Sequence, residues 1–184
     1  MKVLVCGGAG YIGSHLVRDV GQDGFTATLA GTTVGLTEGL TAKFDGPRDV
    51  ALDAAGNVFV ADSGNHRVRK IIPDSTVSTL AGTGTGFADG ATPQFAEPSG
   101  VAVLAAHVFV ADTLNNRVRR VVLADGSATT WAGDTAAGFS DGATGLLSGP
   151  RGVAVAASGE VYVADSGNHA VRKIAAAGQD ITTM

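Results

Sequence analysis

Three glycines, Gly7, Gly10 and Gly13, stand at three-residue intervals between the apolar run KVLVC and the segment HLVRDV. A strand, a glycine turn and a helix start in that order make a phosphate-binding device. The glycines permit a tight turn, and unpaired amides at the helix N-terminus approach a pyrophosphate. Such a turn needs a parallel sheet behind it, and an acidic residue about 20 residues further on to hold a ribose. That region here contains Gly31, Thr32 and Thr33.

The other chemically capable residues recur at intervals. Asp62, Asp112 and Asp165 are 50 and 53 residues apart, each closing an apolar segment. Arg67, Arg69, Lys70, Arg117, Arg119, Arg120, Arg172 and Lys173 make up eight of the 13 Lys and Arg residues. Lying in rows, Arg69, Arg119 and Arg172 would suit an acidic partner or a phosphate backbone. Ion pairing with the preceding aspartates is the local alternative, and Ala170 interrupts the row formed by Arg67 and Arg117. No interleaved aromatic row accompanies these charges, which argues against a nucleic-acid surface.

His66 and His169 are equivalent, with Asn116 between them. Zinc requires ligands converging at about 2.0–2.1 Å on one ion. Equivalent positions on successive repeats are spread apart, so a turn role is expected and no metal site. FADGAT and FSDGAT each bring one carboxylate, Asp89 or Asp141, where calcium takes about six to eight oxygens. Asp-Gly is a turn signal in its own right. Cys6 is the single cysteine, so no internal disulfide forms. No catalytic Ser/His/Asp or Cys/His arrangement is expected, because these residues belong to the repeat.

The elements that must position these residues are the repeats themselves. GPRDVALDAAGNVFVADSGNHRVRKI (46–71), EPSGVAVLAAHVFVADTLNNRVRRV (97–121) and GPRGVAVAASGEVYVADSGNHAVRKI (149–174) align without effort. Pro47, Pro98 and Pro150 fall 51 and 52 residues apart, and Gly31, Gly82 and Gly133 at intervals of 51. NVFVAD alternates with period two, and a short polar turn leads into RVRKI, as in a hairpin. DVAL and STLAG add an inner and an outer strand. Each unit is therefore about four short strands, and repeats of ~40–50 residues built this way stack as propeller blades. The predicted blade cores are 46–81, 97–132 and 149–184. GQD at 21–23 and again at 178–180 places the start of the register by residue 21.

Residues 46–71, with their proline–glycine start and VADxxNxRV core, resemble an NHL repeat, and the other two units follow. The resemblance spans roughly residues 21–184. It implies a β-propeller, often six-bladed, that presents loops for binding. VLVCGGAGYIGSHLV resembles the first strand and turn of the UDP-glucose 4-epimerases, extended short-chain dehydrogenase/reductases, with Cys6 where that family usually has threonine. That likeness implies NAD contacts at Gly7, Gly10, Tyr11, Ile12 and Gly13. The family's Tyr-x-x-x-Lys pair is absent: His15 follows Tyr11, and Ser166 follows Tyr162, at that spacing.

The expected fold is all-β: a partial propeller of three four-stranded NHL-like blades behind a short β-turn-α-like leader, residues 1–20. The leader is not expected to hold a cofactor. The expected function is a non-enzymatic binding or scaffold module for protein or another ligand at a propeller face. The alternatives are an NAD-dependent epimerase fragment, and a propeller lyase or hydrolase whose active residues lie outside this chain. Three blades do not close a ring, so the chain is expected to be a fragment or to associate through its open blades.

Composition agrees with this reading. Gly is 27 of 184 residues, about twice the usual ~7 %, as many tight turns require. The net charge of −4 recruits neither nucleic acid nor a membrane surface. No apolar run approaches the ~18–20 residues of a membrane span, and the N-terminus makes a poor secretory signal. Cytoplasmic is the default expectation.

Overall fold

The computed structural model describes residues 2–6, 16–20, 26–31 and 33–184. Three of its sheets are antiparallel meanders of four strands, paired in sequence order. The first comprises β4 (Pro47–Leu52), β5 (Val58–Asp62), β6 (Arg67–Ile71) and β7 (Val77–Ala81). The second comprises β8 (Pro98–Leu104), β9 (His107–Asp112), β10 (Arg117–Val122) and β11 (Ala128–Gly133). The third comprises β12 (Pro150–Val155), β13 (Val161–Asp165), β14 (Ala170–Ile174) and β15 (Ile181–Thr183). These are the three expected blades, arranged as part of a β-propeller.

Local chemistry sets each turn. Asp53 accepts the backbone N–H groups of Ala55 and Asn57, which closes the β4–β5 turn. Between β5 and β6 the turn ends at His66, whose φ is 56°; Asn116 and His169 repeat it at 55° and 54°. A left-handed residue at that point reverses the chain, and Asn and His tolerate the conformation better than branched residues.

The blades stack face to face. Phe59, Ala61 and Val68 of the first bury against Val101, Val108 and Val110 of the second. Phe109 and Val118 of the second meet Val161 and Val163 of the third. The first strands, β4, β8 and β12, lie beside one another and form the inner edge of the stack. A Cβ at Gly100 would collide with the Arg151 carbonyl oxygen, so only glycine lets these inner backbones approach so closely.

The N-terminal residues depart from expectation. Leu16–Val20 is a strand, β2, not the start of a helix. It pairs with β1 (Lys2–Cys6) on one side and β3 (Thr26–Ala30) on the other. The register copies a blade: Cys6 faces Leu16 as Asp62 faces Arg67, and Val17 faces Ala30 as Val68 faces Ala81. A register shift follows Val17 and Val68 alike. β1 also lies against β4 as β5 lies against β8. The leader and the first outer strand therefore share one sheet with the arrangement of the last three strands of a blade. Gly7, Gly10, Tyr11, Ile12 and Gly13 lie outside the described residues.

The third blade has one uncovered face. Val68 and Val118 are fully buried by the following blade, whereas their counterpart Val171 is 53 % exposed. Ala164 is likewise exposed where Ala61 and Ala111 are buried. Truncation at equivalent positions should therefore have unequal effects. Val68→Ala should cost about 1–3 kcal/mol through lost burial and cavity formation, and Val171→Ala less than about 0.5 kcal/mol. Equal losses in equilibrium urea denaturation would contradict this stacking order.

Candidate functional site

Antiparallel pairing brings the start of each inner strand, the end of the second, the start of the third and the end of the outer strand to one end of the blade. In the first blade these are Pro47, Asp62, Arg67 and Ala81. We refer to this as the upper end. The recurring Asp, Asn, His and Arg residues gather there.

Each blade carries the same buried ion pair. Arg69 donates from Nη1 to Asp62 at 3.0 Å, Arg119 to Asp112 at 2.8 Å, and Arg172 to Asp165 at 2.9 Å, with every side chain fully buried. The same Nη1 reaches a carbonyl of the preceding linker, that of Lys43, Gln94 or Leu146. Nη2 reaches a second, that of Thr37, Ala88 or Ser140. The other oxygen of each aspartate accepts the N–H of Asp45, Ala96 or Ser148, just before the inner strand. Asn65, Asn115 and Asn168 bridge the aspartate to the carbonyls of Gly35, Gly86 and Gly138. Phenylalanines cover the guanidinium planes: Phe44 lies 5.4 Å from Arg69, Phe95 5.2 Å from Arg119, and Phe139 4.7 Å from Arg172.

This corrects the expectation that Arg69, Arg119 and Arg172 form an exposed row for an acidic partner. Their alternation along each third strand turns them inward, where the linkers seal them from water. The linker acids are engaged by the same arginines. Asp89 pairs with Arg119, and Asp141 with Arg172 at 2.7 Å. Asp89 also accepts from the Thr130 hydroxyl, and Asp141 from that of Thr183.

Burial pushes the Asp62 and Asp112 carboxyls above their ordinary value, against the pull of backbone N–H groups, asparagine and arginine. A buried pair of this kind contributes little net stability, but removing one partner strands a charge. Asp141 is shifted the other way. Hydrogen bonds from Thr183, with Arg172 behind them, hold it below its ordinary 3.8.

The paired histidines do not converge. His66 Nδ1 accepts the Glu97 N–H at 3.1 Å, and Asn116 Oδ1 accepts that of Gly149 at 3.0 Å. Each therefore latches its hairpin turn onto the start of the next blade, and His169 is exposed on the third. Sequence reasoning had expected these residues to stabilise their own turns. Their shared reach to the next blade was hidden, because the acceptors sit 31 and 33 residues from their donors.

Two surface features of the upper end were not anticipated. Leu36, Phe87 and Phe139 occupy equivalent linker positions and are 43 %, 41 % and 57 % exposed, and Leu114 in the second hairpin turn is 61 % exposed. Nearer the inner edge, Arg48, Asp49, Ser99, Arg151 and Gly152 line an open cleft of about 380 Å³. All five stand at the starts of the inner strands. Arg48 is paired with Glu97 at 2.9 Å, while Arg151 is exposed. Asp49 accepts the N–H groups of Val50 and Val101, both at 2.9 Å, and burial raises its carboxyl.

A model described as the NHL repeat matches residues 44–71 and 147–174. These are the first and third units, each running from the linker end through the third strand. No curated protein matches the chain. Among solved structures, a protein of unknown function from Bacteroides thetaiotaomicron superposes with a TM-score of 0.70 at 21 % identity, covering 86 % of this chain and 41 % of its own. A chain of a nidogen–laminin complex gives 0.66 at 12 % identity, over 94 % of this chain and 59 % of its own. Virginiamycin B lyase from Staphylococcus aureus gives 0.60 at 10 % identity, over 92 % and 48 %. The chain thus carries NHL repeats in a β-propeller arrangement and spans about half the length of the structures it matches. The epimerase resemblance of residues 1–20 gains no support from these matches.

Two measurements test the buried pairs. Asp62→Ala should cost about 3–5 kcal/mol in urea denaturation by stranding Arg69, whose one ionic partner among the described residues is Asp62, and Asp62→Leu combined with Arg69→Met should cost less than that single change. A double variant at least as unstable as the single would oppose this account. For Asp141 the folded pKa is depressed, so its stabilisation is present above 3.8 and is lost as pH falls through the folded value. Asp141→Asn should therefore flatten the acid limb of the stability profile below about pH 4. An unchanged acid limb would show that Asp141 does not contribute.

Proposed function

We propose that this chain is a non-enzymatic binding module that engages a protein or another ligand at the upper end of its blades. One observation carries the reading: large apolar side chains stand exposed at that end, on a frame whose buried residues recur. Leu36, Phe87, Leu114 and Phe139 are large apolar side chains left in solvent there. Clustered exposed apolar groups beside charged ones mark interaction sites. Arg48 and Arg151 are exposed at one inner-strand position, where the second repeat has the buried Ser99. The recurring Asp, Asn and Arg side chains are engaged in holding linkers, which leaves the exposed residues around them to meet a ligand.

The nidogen–laminin propeller supports the reading as a protein of similar fold found in a protein complex. The fold also accommodates a lyase, so the argument rests on the surface rather than the architecture.

The test compares the two ends. Peptide and glycan arrays probed with the chain should give binders that weaken at least about tenfold with Leu114→Asp or Phe139→Ser. Leu52→Asp, placed where β4 ends at the lower end, should leave them unchanged. Binders lost with Leu52→Asp and kept with Leu114→Asp would reverse the assignment.

A further inference from the structure

The inner-edge cleft has its own chemistry. Arg151 is exposed and has no ionic partner among the described residues. A free guanidinium presents a planar fork suited to a carboxylate. Asp49 lines the same cleft and is held in place from two strands, by the Val50 and Val101 N–H groups. Each of its oxygens takes one of these bonds and keeps capacity for another donor. Ser99 forms a buried floor: its hydroxyl shares a hydrogen bond with that of Thr113 at 2.5 Å and lies 2.9 Å from the Arg151 carbonyl oxygen. The Thr113 hydroxyl lies 2.9 Å from the Pro150 carbonyl oxygen, so the two hydroxyl protons are shared among these contacts and tie the cleft walls across two blades.

The charge pattern selects the ligand. Arg48 is balanced by Glu97, and Arg151 shares the cleft lining with the carboxylate of Asp49. A polyanion would meet both carboxylates and be repelled. A single carboxylate with an N–H beside it satisfies both members of the cleft, the first at Arg151 and the second at Asp49. A volume of about 380 Å³ is at the small end of the ~300–1,000 Å³ usual for ligand pockets, enough for one side chain and its flanking backbone.

We propose that this cleft binds an acidic amino-acid residue of a peptide chain, with Arg151 receiving the carboxylate and Asp49 a neighbouring amide N–H. The proposal rests on the reading of the upper end as a binding surface and names one chemical element of its ligand.

The experiment titrates the intact chain with three probes: N-acetylglutamate methylamide, acetate and inorganic phosphate, followed by calorimetry or by NMR shifts. The methylamide should bind more tightly than either simple anion. Arg151→Gln, at an exposed side chain whose loss leaves the core untouched, should weaken it about tenfold or more. Asp49→Asn should remove the advantage of the methylamide over acetate. Comparable binding of all three probes, or a methylamide affinity unmoved by Arg151→Gln, would overturn the proposal. If the probes fail while array binders remain sensitive to Leu114→Asp, the cleft assignment falls and the upper-end surface stands. If the probes bind as expected and no array binder responds to Leu114→Asp, the cleft is a site without the wider surface.

Discussion

A guanidinium sealed from water must give its N–H donors to acceptors, and the acceptors must be brought to it. Arg69, Arg119 and Arg172 each meet that demand at Nη1 and Nη2 with an aspartate and two linker carbonyls, while no acceptor among the described residues meets their Nε–H. The aspartate's other oxygen holds the backbone where the linker turns into the inner strand. One buried pair thereby decides where a linker lies, where its blade begins and how the hairpin turn sits above both. The frame of the whole stack repeats this solution.

Apolar burial drives the stacking, while the polar groups determine its geometry. Valines and alanines on facing sheets exclude water without directional preference, so they would tolerate sliding. His66, Asn116, Ser99 and Asp49 each reach from one blade to a backbone group of the next, at a single register. Inner-strand glycine adds a steric limit, since Gly100 sits against the Arg151 carbonyl. Repeat stability of this kind comes from neighbours, which is why the uncovered third-blade face stands out.

Function separates from frame along the same lines. Where the buried pairs recur, the sequence has little freedom. Around them, one linker position is leucine in the first unit (Leu36) and phenylalanine in the other two (Phe87, Phe139), and one strand position is arginine in the first and third blades (Arg48, Arg151) and Ser99 in the second. The upper end thus carries exposed apolar side chains and a cleft where three inner strands begin.

Much of the architecture was legible in the sequence. The 51-residue spacing, the period-two runs and the proline positions determined three four-stranded blades, because strand period and turn chemistry are local properties. Two things were not legible. KVLVC and HLVRDV carried a glycine pattern that locally favours a strand and a helix, yet Leu16–Val20 pairs on both sides as a strand. Cys6 stands where the blades have aspartate, and nine residues separate the strands where the first blade has four, so the repeat was masked. The arginines read as charge available to a partner, and only tertiary structure showed them buried, because linkers some 25–32 residues distant in sequence supply their acceptors. Periodicity tells which residues share a strand face; whether that face meets solvent or another segment depends on long-range closure, and that was decided by the fold.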